Sequence, residues 1–507
     1  MFHQNHPIYT KSDQLFPNPF VRSLFPLFPA NTKVYLVGGV IRDFLLQREC
    51  HDVDFVVVGD ARRIARKVAN ALKAAYYTLN EDFDAGRVIY KAEGQKTILL
   101  DFAAIRGGSL EADVHLRDFT INALIMDVQD DEHQIIDLVG GAADMQAKRL
   151  RACCAQTFEQ DPVRILRAVR LALGLGFTIE PQTKLWLKAA VPLLNKPSVE
   201  RIRDELMRIL SGNQQATALR TLQVLNVLPL LFPEVNQLKD VQQSHPHVYD
   251  GFTHTIAVID KLALIYHWLC EGHRPQSNSS NLFLGMLDSV LGKYRPQFAI
   301  HFAADETSQN RKGSLFLAAL YHDVGKSQTQ SIDLQGRNHF YDHEHIGAHI
   351  AASKATALHL SNQEINDIST IVEQHMRPLS LNNTEQPLSR RAIYRFYRDA
   401  ASLGVELCLL CLADFWATYD FSINQKQWEH ILQVVDTLLA AWWEKKEEQV
   451  FPPPLLNGNE LMQALGLKPS KVVGDLLEAI REAQVEGDVK TKEDALSFAT
   501  AFLKDPS

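Results

Sequence analysis

The stretch that decides the fold is Val34 to Val58, VYLVGGVIRDFLLQRECHDVDFVVV. A short apolar run, Val34 to Val37, breaks at Gly38-Gly39; a helical pattern then continues through Leu46, and a second apolar run, Phe55 to Val58, closes the stretch. This order predicts strand, glycine turn, helix, strand. The second strand is entered through His51-Asp52-Val53-Asp54. Side chains alternate across a strand, so Asp52 and Asp54 project from one face, about 6–7 Å apart along the chain. Such a pair of carboxylates can share two divalent ions, about 3.5–4 Å apart, of the kind that clamp the attacking and leaving oxygens in phosphoryl transfer. Gly38-Gly39 lets a phosphate approach the backbone, and the following helix adds free N–H groups and its positive dipole end. Each half also has a plainer reading, the D-x-D as a solvated turn and the Gly-Gly as a simple reversal.

At 507 residues the chain exceeds what one core supports, and three or four domains are expected. A hydrophobic content of 46% with 22% charged residues suits an ordinary soluble protein. The longest apolar runs fall short of the roughly 18 residues of a membrane span, so no transmembrane helix is expected. The opening MFHQNHPIYTKSDQLF has no basic segment followed by an apolar one, so no secretory signal is expected either. Cys50, Cys153, Cys154, Cys270, Cys408 and Cys411 follow no disulfide or zinc spacing; the C-x-x-C at 408–411 lies inside LCLLCLA and reads as two core cysteines on a helix. A reducing, cytoplasmic setting follows. The net charge of −8 argues by its sum against a nucleic-acid partner, but residues 146–210 hold 12 Lys/Arg against 6 Asp/Glu. That segment can track a phosphate backbone.

Residues 1–30, with five prolines, read as an irregular arm. In the region that follows, Ala61 to Ala75 has helical periodicity, and Arg87 to Lys91 and Thr97 to Phe102 read as strands. Asp101 is placed either to add a third carboxylate or to cap a turn. Leu116-Arg117-Asp118-Phe119-Thr120-Ile121-Asn122-Ala123-Leu124 has the look of a helix start, and Asp137 to Gly141 that of a turn. In Glu159 to Arg170, EQDPVRILRAVR, Asp161 suits an N-cap and Pro162 a first helical turn. Arg164, Arg167 and Arg170 then share a ridge. Two readings stand: a capped, solvated basic helix, or Asp161 and Arg164 offering a fixed acceptor and donor set to a base edge.

From about residue 245, His254, His322-Asp323, His343, His375 and Asp414 each precede or sit on an apolar-periodic helix. Singly, each reads as a satisfied histidine or carboxylate; together, on facing helices, they suit a hydrolytic divalent metal. Residues 271–313 read as an irregular, polar insertion. After Trp443 come the charged run 444–448, the breaker Pro452-Pro453-Pro454, and amphipathic segments near Val473 to Gln484 and Lys492 to Leu503, a small helical cap.

The order G-G-x-x-R-D, helix, D-x-D, strand resembles the nucleotidyltransferase head shared by DNA polymerase beta, poly(A) polymerases and tRNA CCA-adding enzymes. Residues 116–124 resemble the R-R-D-F-T-I-N-A motif of bacterial CCA-adding enzymes, with Leu116 in place of the first Arg. The resemblance implies that Arg117, Asp118 and Asn122 contact the sugar of the incoming ribonucleotide. Residues 159–167 resemble the templating motif E-D-x-x-R-x-x-R of the class II enzymes, with Gln160 in place of the Glu. There Asp161 and Arg164 are implied to stand in for a template base, and Arg167 to reach the nucleotide. Ser198 to Leu206 resembles the fifth motif of that family, which braces the neck. His322-Asp323 followed by Val-Gly-Lys resembles the HD phosphohydrolase superfamily.

The chain is thus identified as resembling a class II bacterial tRNA nucleotidyltransferase with an HD domain. The implied fold is α+β: a small polymerase-beta-like sheet head (31–141), then an all-α neck and body (142–245), HD domain (246–420) and tail (421–507). Asp52 and Asp54 are implied to hold two Mg²⁺, with Asp101 as a further carboxylate. Gly38, Gly39, Arg42 and Asp43 line the implied nucleotide site, with Arg42 and Arg167 at the phosphates. His254, His322, Asp323 and Asp414 are implied ligands of an HD metal (Mg²⁺, Mn²⁺, Ni²⁺ or Co²⁺), with His343 and His375 as further ligands or phosphate contacts. The implied partners are tRNA, CTP and ATP, with the tail at the tRNA elbow and no membrane; the oligomeric state stays open. Only 14 residues, AAIRGGSLEADVHL, separate Phe102 from Arg117. CCA-adding and A-adding relatives usually carry a longer loop there, and CC-adding relatives lack it. The resemblance implies addition of CCA, or part of it, to the tRNA 3′ end from CTP and ATP without a nucleic-acid template; addition of the two cytidines alone, a poly(A) polymerase, and a phosphohydrolase whose head only binds are the alternatives. For the HD domain the resemblance implies hydrolysis of phosphoesters such as 2′,3′-cyclic phosphates or 2′-nucleotides.

Overall fold

A computed structural model describes residues 19–50, 52–82, 84–91, 97–130, 134–272, 281–303, 310–381 and 387–504. His51 lies outside them. The chain divides into two compact units, residues 1–198 and 199–507.

The first unit is built on a seven-stranded sheet in the order β3-β4-β5-β2-β1-β6-β7. Its centre is the expected unit: β1 (Val34–Val37), a helix at Gly39–Leu45 and β2 (Asp52–Val57). The flanking strands are β3 (Ala75–Asn80), β4 (Ala85–Tyr90), β5 (Ile98–Ala104), β6 (Ile125–Asp127) and β7 (Ile135–Ile136). β3 carries no sign in the sequence because it is an edge strand with nearly every side chain exposed, so no apolar alternation marks it. β6 and β7 are too short to show a period. The helix at Ala61–Leu72 is capped by the Asp60 carboxylate, which accepts from the Arg63 N–H, and ends at Lys73 in the left-handed region (φ 52°). It therefore stops short of the expected Ala75.

β2 and β5 run parallel, with Asp54 level with Asp101. β4 runs antiparallel to β5 and sets Arg87 level with the same Asp101. Beneath this face, Phe55 and Phe102 are fully buried and stack at 4.8 Å between ring centroids, which locks the two central strands together. The short connection after β5 is ordered: Ser109 caps a helix at Leu110–His115, its hydroxyl accepting from the Ala112 N–H. The expected N-cap at Asp161 is a correction: the helix runs from Arg164 to Leu175 with Val163 at its N-cap and no side-chain cap, and Asp161, two residues earlier, accepts the Val163 N–H at 3.3 Å.

The second unit is mainly helical. The stretch 271–313, expected to be irregular, is corrected where it is described: helices occupy Asn281–Leu291 and Arg295–His301, while 273–280 and 304–309 lie outside the described residues. Leu284, Leu287, Leu291 and Phe298 are wholly buried, at helical spacing within a polar-rich sequence whose composition conceals them. One helical run, Arg390–Ser422, is long and apolar enough to cross a membrane, but 83% of its apolar window is buried inside the protein, as in a core helix. Counting uninterrupted apolar residues passed over it. Cys408 and Cys411 lie on this run, buried and free. The tail helices Gly458–Leu465, Lys471–Glu486 and Lys492–Lys504 share a core of Leu461, Leu476, Ile480, Ala495 and Ala499.

Candidate active sites

In the first unit, Gly38 precedes the helix at φ 81° and ψ −147°, a conformation essentially restricted to glycine. A Cβ there would stand 2.8 Å from Asp54 Oδ2. The turn and the carboxylate are thus in direct apposition. Asp52 is exposed and Asp54 half-buried on the same face of β2. Burial, and next the neighbouring Asp101 carboxylate, push the Asp54 carboxyl up to about 6. A carboxylate disfavoured in this way is suited to a cation. Asp101, however, accepts a fork from Arg87, with Nε and Nη2 each at 2.7 Å.

Among the residues singled out for nucleotide binding, Arg42, Asp43, Asn122, Asp118 and Arg167 are joined by side-chain hydrogen bonds. The Arg42 guanidinium donates to both Asp43 oxygens (2.8 and 2.7 Å) and to Asn122 Oδ1 at 2.6 Å. Asn122 Nδ2 donates to Asp118 Oδ1 at 3.1 Å, and Arg167 Nε to Asp118 Oδ2 at 2.5 Å. Burial opposes the charge on Asp118, but Arg167, Asn122 and the Phe119 N–H outweigh it and hold the carboxyl below its usual range. Arg164 donates to the Leu116 carbonyl at 2.8 Å and more weakly to those of Arg117 and Thr157, and lies 3.8 Å from Asp161 Oδ2. Arg117 is turned instead to Asp113.

In the second unit, His254 lies in the helix Gly251–Leu269, His322-Asp323 follow the helix Arg311–Tyr321, His343 opens His343–Ala357, His375 closes Asn362–Gln374, and Asp414 lies in Gly404–Tyr419. All six are buried. They gather as two groups, His254, His322 and Asp414, and Asp323, His343 and His375, each with its ligand atoms within 4.8 Å of one another. Among the described residues a third such group, Asp342, Glu344 and His345, lies largely at the surface, and Asp52, Asp54 and Asp101 form none. The Nδ1 atoms of His322, His343 and His375 sit 2.8, 2.8 and 2.7 Å from the carbonyls of Ala319, Phe340 and Val372. A carbonyl can only accept, so each Nδ1 carries a proton, and in the neutral ring each Nε2 turns a lone pair inward. Those three Nε2 atoms, and that of His254, are buried and converge on the carboxylates of Asp323 and Asp414 at 3.0 to 3.8 Å without a well-aligned hydrogen bond among the described residues. Four imidazole nitrogens and two carboxylates so gathered could hold a divalent transition metal. Burial, and then the neighbouring His322, hold His375 down to about 3, so its ring is neutral, as a ligand must be.

Residues 34–151 match the family model of the poly A polymerase head domain, 176–239 that of a probable RNA and SrmB-binding site of polymerase A, and 297–415 the HD domain. The chain is 28% identical over 486 residues to an A-adding tRNA nucleotidyltransferase of Deinococcus radiodurans, spanning 95% of this chain and 98% of the relative. It is also 28% identical over 504 residues to a CC-adding tRNA nucleotidyltransferase of Thermus thermophilus, spanning 98% and 95%. Over nearly its whole length the chain is thus similar to tRNA nucleotidyltransferases, and it carries the poly A polymerase head and HD domains. A solved CCA-adding enzyme in complex with CTP shares the fold of this chain at a TM-score of 0.62 and 20% identity, covering 97% of each chain.

The head match takes in Gly38 through Asn122, whereas Asp161, Arg164 and Arg167 fall between the first two matched regions. His254 precedes the HD match and joins the site through the fold. Sequence reasoning missed Arg87, Asp113 and His247. The Asp113–Arg117 pair has the four-residue spacing of a helical ion pair, a signal that was present. His247 stands 5.2 Å from the His254 ring, and burial, then Lys326, push it down to about 4. It lies in a loop with no periodicity to mark it. Lys326 itself bridges Asp323 Oδ2 (2.6 Å) and Gln243 Oε1 (2.8 Å).

Proposed function

We propose that the head transfers nucleoside monophosphates from CTP, and in the full reaction ATP, to the 3′-hydroxyl of tRNA without a nucleic-acid template. The observation that carries this reading is the continuous network from Arg42 through Asn122 and Asp118 to Arg167, on the unit that bears Asp52 and Asp54. Asp52 and Asp54 are the residues that would hold two Mg²⁺, and the bound ions supply charge that activates the hydroxyl and neutralises the departing pyrophosphate. Asp101 would have to exchange Arg87 for an ion to join them. Gly38 keeps the turn open beside Asp54, while Arg42, its donors turned to Asp43 and Asn122, braces the turn. Asp118 orients the sugar side of the pocket, and Asp161 with Arg164 reads the base. No covalent intermediate is required, because positioning and charge compensation suffice for phosphoryl transfer.

The relatives include both A-adding and CC-adding enzymes at equal identity, so similarity does not choose between them. The compact connection to Arg117, filled by the helix Leu110–His115, supports addition of the two cytidines alone. The test is incorporation of labelled CTP and ATP into tRNA transcripts ending before CCA, after C and after CC. Cytidine is expected on the first two. Efficient adenosine addition to the third overturns the CC-only reading, and no incorporation on any of them overturns the transferase reading.

A second activity is favoured by the four Nε2 atoms that converge, buried, on the Asp323 and Asp414 carboxylates. We infer that the HD site hydrolyses phosphoesters, 2′,3′-cyclic phosphates or 2′-nucleotides among them, with a divalent metal held by His254, His322, Asp323, His343, His375 and Asp414. Incubation with 2′,3′-cyclic AMP and Mg²⁺, Mn²⁺, Ni²⁺ or Co²⁺ tests it; inactivity with every metal overturns it.

A further inference from the structure

Asp113 is a buried carboxylate to which the proposed chemistry assigns nothing. Its side chain is 1% exposed, yet it accepts four hydrogen bonds. Oδ1 takes the Arg106 N–H at 3.2 Å and Arg106 Nε at 2.9 Å, and Oδ2 takes Arg117 Nε at 3.0 Å and Nη2 at 2.8 Å. Burying a charge is costly unless it is paired and hydrogen-bonded in this way. Burial does work against ionisation here, but Arg117 and Arg106 outweigh it and hold the carboxyl below its ordinary value.

The pairing continues beyond Arg117. The peptide that carries this side chain also presents the two carbonyls, of Leu116 and Arg117, on which the Arg164 guanidinium rests. Arg164 in turn lies 3.8 Å from Asp161. A guanidinium is planar with donors in a fixed fork, so the position of its acceptors sets its plane. The position of those carbonyls depends on where the 116–117 backbone lies, and the Asp113–Arg117 fork, spanning four residues across the end of the helix Leu110–His115, ties that backbone down. The Thr157 carbonyl, at 3.2 Å, shares Nη1 with that of Arg117, while Nη2 rests on the Leu116 carbonyl at 2.8 Å, the shortest of the three contacts.

We propose that Asp113 is a positioning residue for nucleotide selection: it fixes Arg117 and, through the Leu116 and Arg117 carbonyls, aims the Arg164 guanidinium that reads the base together with Asp161. This inference rests on the base-reading role proposed for Asp161 and Arg164. Asp113 touches no nucleotide itself, so its loss acts on discrimination and not only on the amount of active enzyme.

The experiment measures kcat/KM for CTP and for ATP on a tRNA transcript ending before CCA, for the full chain and for Asp113→Asn, Arg117→Lys, Arg164→Ala and the double variant Asp113→Asn/Arg164→Ala. The ratio of the two values does not depend on the folded fraction, because both nucleotides are read by the same active molecules. Asp113→Asn and Arg117→Lys are expected to lower the CTP-over-ATP ratio by about tenfold or more, the loss of a charged hydrogen bond. The double variant is expected to show a ratio no lower than Arg164→Ala alone, because the effect of Asp113 passes through Arg164. Should Asp113→Asn yield no folded protein, Arg117→Lys, which leaves the carboxylate in place, reads the same link. A lower melting temperature with an unchanged ratio in both single variants overturns the proposal and leaves the base-reading assignment intact. An unchanged ratio in Arg164→Ala overturns the base-reading assignment, and this proposal with it.

Discussion

The two candidate sites of this chain are assembled in opposite ways. In the head, a glycine turn and a strand-borne D-x-D come from one stretch of twenty-five residues, Val34 to Val58, and the carboxylates stand at the solvent side of a sheet. In the HD domain, six candidate ligands come from five separate helical segments spread over residues 254–414, and every one is buried. The head site is therefore local and open, with its geometry set by strand periodicity. The HD site is non-local and closed, and its imidazoles are aimed by backbone carbonyls. An open carboxylate pair suits a large polymer whose end must enter; a closed histidine cage suits a small phosphoester.

The sharpest way to break the comparison is to exchange the losses. Asp54→Ala should lower nucleotide transfer to tRNA by about a thousandfold, the scale of removing a major electrostatic element of a transition state, while leaving HD hydrolysis unchanged. Asp323→Ala should abolish hydrolysis while CTP incorporation persists. Parallel assays of both variants check this, and loss of both activities in either variant would show that the sites are not independent.

Ionic strength should separate the two sites next. If tRNA binding neutralises roughly four to six phosphates through the basic segment 146–210, log K should fall with log salt at a slope of about −3 to −5. Hydrolysis of a cyclic mononucleotide should barely respond. Filter binding across a salt series, run beside the hydrolase assay, measures the contrast, and a slope near zero for tRNA removes the RNA contact from this segment.

Metal should stabilise the closed site more than the open one. Mn²⁺ or Ni²⁺ at about a hundred times its dissociation constant adds about 2.7 kcal/mol to the unit that binds it. Thermal melts of the full chain with and without ion, repeated on His322→Ala, should show a rise in the unvaried protein that the variant lacks. The smallest expected effect is at the turn: Gly38→Ala should cost about 1–3 kcal/mol from backbone strain and should impair transfer through its clash with Asp54, with HD hydrolysis unaffected. Undiminished transfer would mean that the turn is not held against the carboxylate.

The head was legible because its signals are short-range. Alternation put Asp52 and Asp54 on one face, and both are found on the same face of β2. The HD residues were legible as polar residues interrupting apolar helices, a pattern that also survives without structure. Asp101 was left between two readings, and Arg87 now occupies both its oxygens. That partner comes from an antiparallel neighbour whose register no local pattern specifies. The buried apolar spacing of Leu284, Leu287 and Leu291 was outweighed by the polar composition around it.

What the sequence by itself determined about this protein is the order of its elements, the family resemblance carried by its motifs, and which polar residues stand in positions that chemistry would use. Those follow from spacing along the chain, where the periods of strand and helix act over a few residues. The tertiary structure alone decided what those residues do for one another: that Arg42 meets Asn122 across 80 positions, that Arg167 meets Asp118 across 49, that Asp113 holds Arg117 beneath Arg164, and that the HD histidines turn Nε2 inward. The reason is physical. A guanidinium or an imidazole has several ways to satisfy its donors, and which one it adopts depends on the acceptors that folding brings within hydrogen-bond distance.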